Sequence, residues 1–581
     1  MVIAKKYILM LFILLILPIT PTLASIDKLN IVSGVVPHHL LAEEIIEDFF
    51  SYISSQENVE TIILLSPDHF QSGVLNNENA FITLDWKSVS EKENFSNIKI
   101  DSLLGKKLAG ENKIILNSAD IIYDHGITNL IPYIKKYFPE SKFLPILIPV
   151  DITKEQIEHL VKTIDKAASA QTIIIGSVDF SHYLPPQAAD FHDAKSIRVL
   201  LNFEEDNFDN IEVDCWQALY AARLFAKLRH KTASHIIAHR NSVDFLKLYS
   251  EITTSYFSVV FGEKKPEGTF SGSTLDTFSR GVKTVLLVGD IMLDRGVEYL
   301  MKQNSIYYPF RKIGKFLRGI DIVFGNLEGP VVENPPEFPD ESLKFAFSPE
   351  VIKGASWSHF NLFSLANNHT PDMGKEGLEK TKEWLKKYGI NFVGNPLSVS
   401  PNNLNSSFIR DNITFLAFNQ IFPFMGKEEE IMKAIKTVKS LNPDNFLIVS
   451  LHWGEEYQSI NSPVQEKLAH KIIEAGADLM IGHHPHIVQK IEKYQGKLIF
   501  YSLGNFIFDQ YFSPDTQQGL AVGLEIYPDR LVCQLFPIQI NLSQPVLMEW
   551  DTASEFLIQL ANCSDVNLVD EIESGIIKIE R

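Results

Sequence analysis

The sequence predicts an α/β protein built from two units. Three observations carry this expectation. Short β-branched runs alternate along the chain with polar clusters and amphipathic stretches, the pattern of buried strands connected by helices. The length, 581 residues, exceeds what one core organises and favours two or three domains of ~150–250 residues. Between the two alternating stretches lies a tract rich in Gly, Ser, Thr and charge, from Gly262 through Ser271 to Gly281, with no apolar period. It reads as a linker. The expected boundaries are 27–262 for the first domain, 263–282 for the linker, 283–540 for the second domain and 541–581 for a C-terminal tail.

The elements follow in chain order. Residues 1–25 stand apart, with Lys5-Lys6, an apolar run over 7–17, Pro18 and small residues up to Ala24 and Ser25. They describe a secretory signal peptide or an N-terminal anchor, shorter than the ~20 residues of a comfortable membrane span. The protein is therefore expected outside the cytoplasm, secreted or membrane-anchored. In the first domain, strands are expected at 31–36, 61–65, 143–148 and 172–175, with an amphipathic helix at 40–53. In the second they are expected at 284–288, 321–324, 362–365, 446–449, 479–481 and 498–501, with helices at 375–388 and 464–475. Beyond residue 521 the runs shorten as in antiparallel strands, and 549–561 reads as a docking helix.

Composition excludes several classes. Lys and Arg number 53 against 72 Asp and Glu, a net charge of −19, whereas nucleic-acid binders need clustered cations. Three cysteines, Cys215, Cys533 and Cys563, make neither a disulfide scaffold nor a Cys-rich zinc site. Any metal must be held by His, Asp, Asn or Glu. An anionic partner would have to enter at a bound cation.

Chemistry-bearing residues gather where the strands end. In the first domain these are Pro37-His38-His39, Ser66-Pro67-Asp68-His69 and Asp179-Phe180-Ser181-His182. In the second they are Gly289-Asp290, Gly325-Asn326-Leu327-Glu328, Asn367-Asn368-His369, Ser450-Leu451-His452 and Gly482-His483-His484-Pro485-His486. Open α/β sheets bind ligands in the crevice at the carboxyl ends of their strands, so each domain is expected to form one crevice. Oxygen and imidazole donors from several strand ends suit divalent ions such as Mn, Fe or Zn. A non-ligand His would then move the proton. A lone His at a strand end is as readily a hydrogen-bonded pocket residue, and His483 is read that way. His192, His235 and His239 read as structural or surface residues, and Cys215 as core.

The second-domain motifs include Gly-Asp290-Ile-Met-Leu-Asp-Arg, Gly-Asn326-Leu-Glu-Gly, Asn-Asn368-His369-Thr-Pro-Asp and Leu-His452-Trp-Gly. With Gly-His-His484-Pro-His486 and Ser-Leu-Gly-Asn505-Phe, they resemble the capsule-synthesis protein CapA family over residues 284–508. The resemblance implies a metallophosphoesterase-like α/β/β/α sandwich and a role in capsule or poly-γ-glutamate biosynthesis. It implies Asp290, Asn368, His452, His484 and His486 as metal ligands and His369 as proton donor, with Asn505 lining the pocket. Two positions depart from the phosphoesterase pattern. Met292 occupies a His slot, and Asn326 occupies the bridging Asp slot, with Glu328 two residues on as a substitute ligand. One metal, or none, therefore stays open.

The first-domain motifs, together with Asp124-His125-Gly, resemble the Memo-like family (AmmeMemoRadiSam system protein B) over residues 31–262. That family's fold is similar to extradiol-type non-haem iron dioxygenases. The resemblance implies a metal pocket of His38, His69 and His182, with Asp179 and His125 beside them. Where some members supply a Cys, residues 239–244 have none. Two functions are expected of the whole chain. One is a metal-dependent hydrolase or transferase acting on an anionic cell-envelope polymer or its precursor. The other is a non-catalytic polymer-binding or export factor that has lost one metal site. Membrane contact through the N-terminus is compatible with both, and the oligomeric state is not legible.

Overall fold

The computed structural model describes residues 29–70, 80–83, 95–246, 250–263, 281–336, 343–397, 407–423 and 425–581. The signal or anchor read at 1–25 and most of the linker read at 263–282 lie outside the described residues. Among those described, no helix is long and apolar enough to cross a membrane.

The first unit is built on one mixed sheet. Strands Lys142–Ile148, Thr61–Pro67, Thr172–Ser177 and Ser33–Val36 run parallel at its centre, and Thr253–Gly262 closes against the last of them antiparallel. The central strands are buried along their whole length apart from Lys142, which is why they read as near-continuous apolar runs. Both faces are covered. Ile62, Leu64 and Phe143 pack with Ile46, Phe49 and Phe50 of the helix Glu43–Gln56. Ile63, Leu65 and Ile146 pack with Leu160 and Leu219 of the helices Lys154–Ala167 and Trp216–Leu228. The first of those helices is stopped at its N-terminus by a capping box between Thr153 and Gln156.

The second unit has two sheets face to face with helices outside both. In one, Asn391–Val393, Leu362–Ser364, Ile322–Leu327 and Lys283–Ile291 run parallel. The antiparallel strands Gln518–Ile526, Arg530–Asn541 and Gln544–Leu547 continue it. In the other, Ile413–Asn419, Phe446–His452, Leu479–His483 and Lys497–Phe500 run parallel. Val285, Leu287 and Phe324 meet Phe415, Ile448 and Ile481 between the sheets. Period-two alternation sends Leu286 and Val323 outward to one helical layer, and Leu447 and Val449 to the other. The result is the α/β/β/α sandwich.

Residues 541–581 belong to this sandwich. Ile576–Glu580 pairs antiparallel with Arg530–Asn541, and the helix Trp550–Cys563 buries Phe556, Leu557 and Leu560 in the core between the sheets. The two units also share a core and a buried ion pair. Leu184, Ala188 and Phe191 of the first lie in one apolar cluster with Phe316 and Phe536 of the second. Beside them the Arg198 guanidinium donates to Asp321 at 2.6 and 2.8 Å. His192 lies here too, its Nε2 2.9 Å from the Phe316 carbonyl.

Candidate metal centres

In the second unit, register aligns the donors before any side chain is considered. Asp290 is the cross-strand partner of both Asn326 and Asn505, Asn326 of Ser364, and His452 of His483. The polar ends of both sheets therefore converge. Close approach needs Gly289, where a Cβ would sit 2.0 Å from the Gly504 carbonyl oxygen. The loop after Leu479–His483 carries His484 and His486 at φ +94° and +60°, left-handed conformations that non-glycine residues adopt where the surroundings over-determine them.

These residues form one network. Asp290 accepts from Asn326 Nδ2 at 2.8 Å and from the His484 backbone N–H at 3.1 Å. His486 Nδ1 lies 3.3 Å from Asp290 and 3.0 Å from Asn505 Oδ1, and its Nε2 lies 3.8 Å from Glu328. The Nε2 of His369 is also 3.8 Å from Glu328, and its Nδ1 is 3.0 Å from Asp372. His452 Nε2 lies 2.7 Å from Asn368 Oδ1. His484 stands beside His452, ring centroids 4.8 Å apart. Glu328, His484 and His486 each offer a ligand atom, all within 4.8 Å of one another.

Electrostatics follow from burial. Burial alone would raise the Asp290 carboxyl, but the His483 and His486 imidazoles hold it well below the usual range. Glu328 is pushed up by burial, and Asp290 adds to the rise. Burial would lower His486, yet Glu328 and Asp290 hold its imidazolium above the ordinary histidine range. His484 is lowered to about 3 by burial and then by His486. Both Glu328 oxygens and both His483 ring nitrogens are buried without a hydrogen-bond partner. A buried carboxylate without hydrogen bonds is costly, and a cation between Glu328, His484 and His486 would satisfy it. The residues present fit a divalent ion.

Asn326 has a fixed orientation. Asn367 Oδ1 accepts from the backbone N–H groups of His369 and Thr370, so its Nδ2 is the donor to Asn326 Oδ1 at 3.0 Å. The Asn326 amino group therefore faces Asp290 and, at 3.2 Å, His452 Nδ1. It donates where a bridging carboxylate would accept. Met292, in the other departing slot, is fully buried in the apolar core.

The first unit gathers a second set. The imidazoles of His38, His69 and His125 offer ligand atoms within 4.8 Å, and so do His38, Asp179 and Asp214. His182 belongs to neither group. It sits half-buried on the strand Phe180–Leu184, its imidazole lowered to about 4 by burial. Asp124, fully buried, accepts from the Gly126 N–H at 2.9 Å and holds His69 Nδ1 at 2.9 Å. That leaves His69 Nε2 as the free lone pair. The Ser177 hydroxyl donates to the Gly126 carbonyl at 2.7 Å, so it accepts from His38 Nδ1 at 3.2 Å. The bare Nε2 of His38 then faces Asp179 and Asp214 at 3.5 and 3.6 Å. Three lone-pair donors pointed at one another repel unless a proton or a cation lies between them. This set also fits a divalent ion.

Some participants escaped the sequence reading. Asp214 is positioned by reciprocal bonds with Asp179 across 35 residues. Locally it reads only as a residue before a helix. Asn367 and Asp372 stood inside a quoted motif, but their task of orienting Asn326 and His369 appears only in three dimensions. His239, read as structural or surface, is held 2.7 Å from the buried Asp193.

Comparison with known proteins gives a family for each of the two units. Residues 15–242 match the model of the family described as Memo-like protein, and 284–510 that of bacterial capsule synthesis protein PGA_cap. The chain joins a Memo-like domain to a PGA_cap domain. For the PGA_cap domain, the capsule biosynthesis protein CapA of Bacillus anthracis is 32% identical over 259 residues. That match covers 41% of this chain and 62% of the relative, under two thirds of its length. The PGA biosynthesis protein CapA of Bacillus subtilis is 29% identical, covering 52% of this chain and 82% of the relative. For the Memo-like domain, a MEMO1 family protein of Sulfurisphaera tokodaii is 23% identical, covering 41% of this chain and 85% of the relative.

Proposed function

We propose that this chain works in the biosynthesis of capsule or poly-γ-glutamate outside the cytoplasm, as a metal-dependent hydrolase or transferase whose reacting centre is in the PGA_cap domain. The observation that carries the reading is Glu328, a buried carboxylate with neither oxygen hydrogen-bonded, 3.8 Å from the imidazoles of both His369 and His486. The CapA relatives supply the pathway. A divalent cation bound there, Mn, Fe or Zn, would supply positive charge for polarising a phosphoryl or acyl oxygen. The chain's own residues do the rest. Glu328, His484 and His486 would hold the ion, with Asp290 beside them. Asp372 accepts the Nδ1 proton of His369, so His369 Nε2 is the atom that exchanges a proton with the leaving group. His452 is kept neutral by burial and by His484, with Nδ1 accepting from Asn326 and Nε2–H donating to Asn368. In the Memo-like domain, His38, His69 and His125 would hold a second, separate ion.

The test is metal content and turnover of the full chain. Loaded with Mn, Fe or Zn in turn, the protein should retain metal and cleave a phosphodiester or γ-glutamyl substrate. His369→Ala should abolish turnover and keep the metal, and His69→Ala should lower only the Memo-like share of bound metal. No retained metal and no His369-dependent turnover would sink the reading. A second reading, a polymer-binding or export factor without catalysis, is favoured by the Asn326 amino group, which donates where a two-metal centre needs an acceptor.

A further inference from the structure

Beside the PGA_cap centre stands a cation that neither centre uses. Arg295 opens the helix Arg295–Gln303 with φ +50°. Asp294 holds this strained backbone from both sides, one oxygen accepting from the Arg295 N–H at 2.7 Å and the other from the Ala346 N–H at 2.8 Å. The guanidinium is thereby directed over the Phe345 ring, 4.8 Å from its centroid, and 5.8 Å from that of Phe508. Those rings touch the centre itself. Phe345 lies 4.3 Å from the His369 ring and Phe508 4.8 Å from the His486 ring.

The Arg295 side chain is 36% exposed. Among the described residues, Asp509 is the one side chain that accepts from it, through Nη2. A guanidinium carries five donors in a rigid fork matched to an oxyanion, and Asp509 engages only part of that capacity. Nearby, Tyr457 is 42% exposed with its ring 6.1 Å from His486. It is tied back through Gln510 and Asn505 to the same imidazole. The chain's net charge of −19 makes a fixed cation beside this centre unusual. Glu456 adds a carboxylate nearby, so an anion would be recognised by Arg295 locally rather than by the general surface.

We infer that Arg295 is the core of an oxyanion subsite that seats a substrate carboxylate or phosphate beside the centre, with Phe345 and Phe508 fixing the plane of the guanidinium. For a γ-linked glutamyl chain, the group seated is the free α-carboxylate of the residue next to the reacting bond. This rests on the proposed function, because it takes that centre as the place where the substrate reacts. It is a specificity-determining contact, separate from metal holding.

The experiment titrates the manganese-loaded full-length protein with γ-linked hexaglutamate, its neutral carboxamide analogue and inorganic phosphate, reading binding by calorimetry and metal by elemental analysis. Arg295→Gln should weaken hexaglutamate by about tenfold or more, the loss of one charge-assisted contact, and leave bound metal and the neutral analogue unchanged. Arg295→Lys should restore part of the affinity. Hexaglutamate binding as tightly to Arg295→Gln as to the wild type would overturn the subsite, and so would an equal loss for the neutral analogue. Phosphate binding that needs Arg295, without hexaglutamate binding, would keep the oxyanion subsite and assign it to a phosphate-bearing substrate. A wild type that retains none of Mn, Fe or Zn would defeat the proposed centre, while the Arg295 comparison would still be readable on the metal-free protein.

Discussion

Arg198→Met should loosen the junction between the two domains. Arg198 is 1% exposed and Asp321 6%, so the pair is desolvated and little screened. Its two parallel bonds measure 2.6 and 2.8 Å. Removing one partner of a buried pair costs about 3–5 kcal/mol because the other charge is stranded. Asp321 would retain Lys195 at 3.6 Å and the Thr284 N–H and hydroxyl at 3.0 and 3.1 Å, but Glu204 would lose its bonds from Arg198 at 3.0–3.2 Å, so the loss should be at least about 3 kcal/mol. With an m-value of ~3 kcal/mol/M, the affected urea transition should fall by about 1 M, followed by tryptophan fluorescence. The pH dependence checks the cause. Burial would raise the Asp321 carboxyl, but Arg198 and Lys195 hold it below its ordinary value. The stabilisation is therefore complete above the unfolded value of ~3.9 and is lost as pH falls below it. In Arg198→Met the carboxyl rises instead, so the deficit should shrink between pH 7 and pH 4. A deficit under about 1 kcal/mol at pH 7, or one that does not change with pH, would refute the reasoning.

Three more expectations follow from the same geometry. Asn326→Asp replaces the amino group 2.8 Å from Asp290 by a second buried carboxylate. The metal-free protein should lose stability, and loading should restore it with more metal bound per chain, read by thermal unfolding and elemental analysis; unchanged stability would contradict the donor role. Gly126→Ala places a Cβ 2.0 Å from Ser66 Oγ and 3.1 Å from Asp124 Oδ1, so metal retention in the Memo-like domain should fall while that of the PGA_cap domain stays. Truncation after Asn541 removes the strand Ile576–Glu580 and the helix Trp550–Cys563 from the sandwich. It should leave the PGA_cap domain aggregated or protease-sensitive; a truncated chain with wild-type unfolding would show that those residues add nothing to its core.

Much of this protein is written locally. Buried parallel strands need continuous apolar runs, and helices need an apolar stripe, so both periodicities announced two α/β units from the chain alone. The placing of His, Asp and Asn after strands announced where the chemistry lies, because parallel strands point their carboxyl ends the same way. Tertiary structure decided what local pattern cannot carry. The orientation of Asn326 depends on Asn367, 41 residues on. Asp214 meets His38 from the far end of the domain, and His125 rather than His182 closes the ring of imidazoles. Arg198 finds Asp321 across 123 residues, and residues that looked like a tail supply a strand and a helix. Each of these is a contact between distant residues. Sequence periodicity reports that a side chain is buried, and only the folded chain determines what it is buried against.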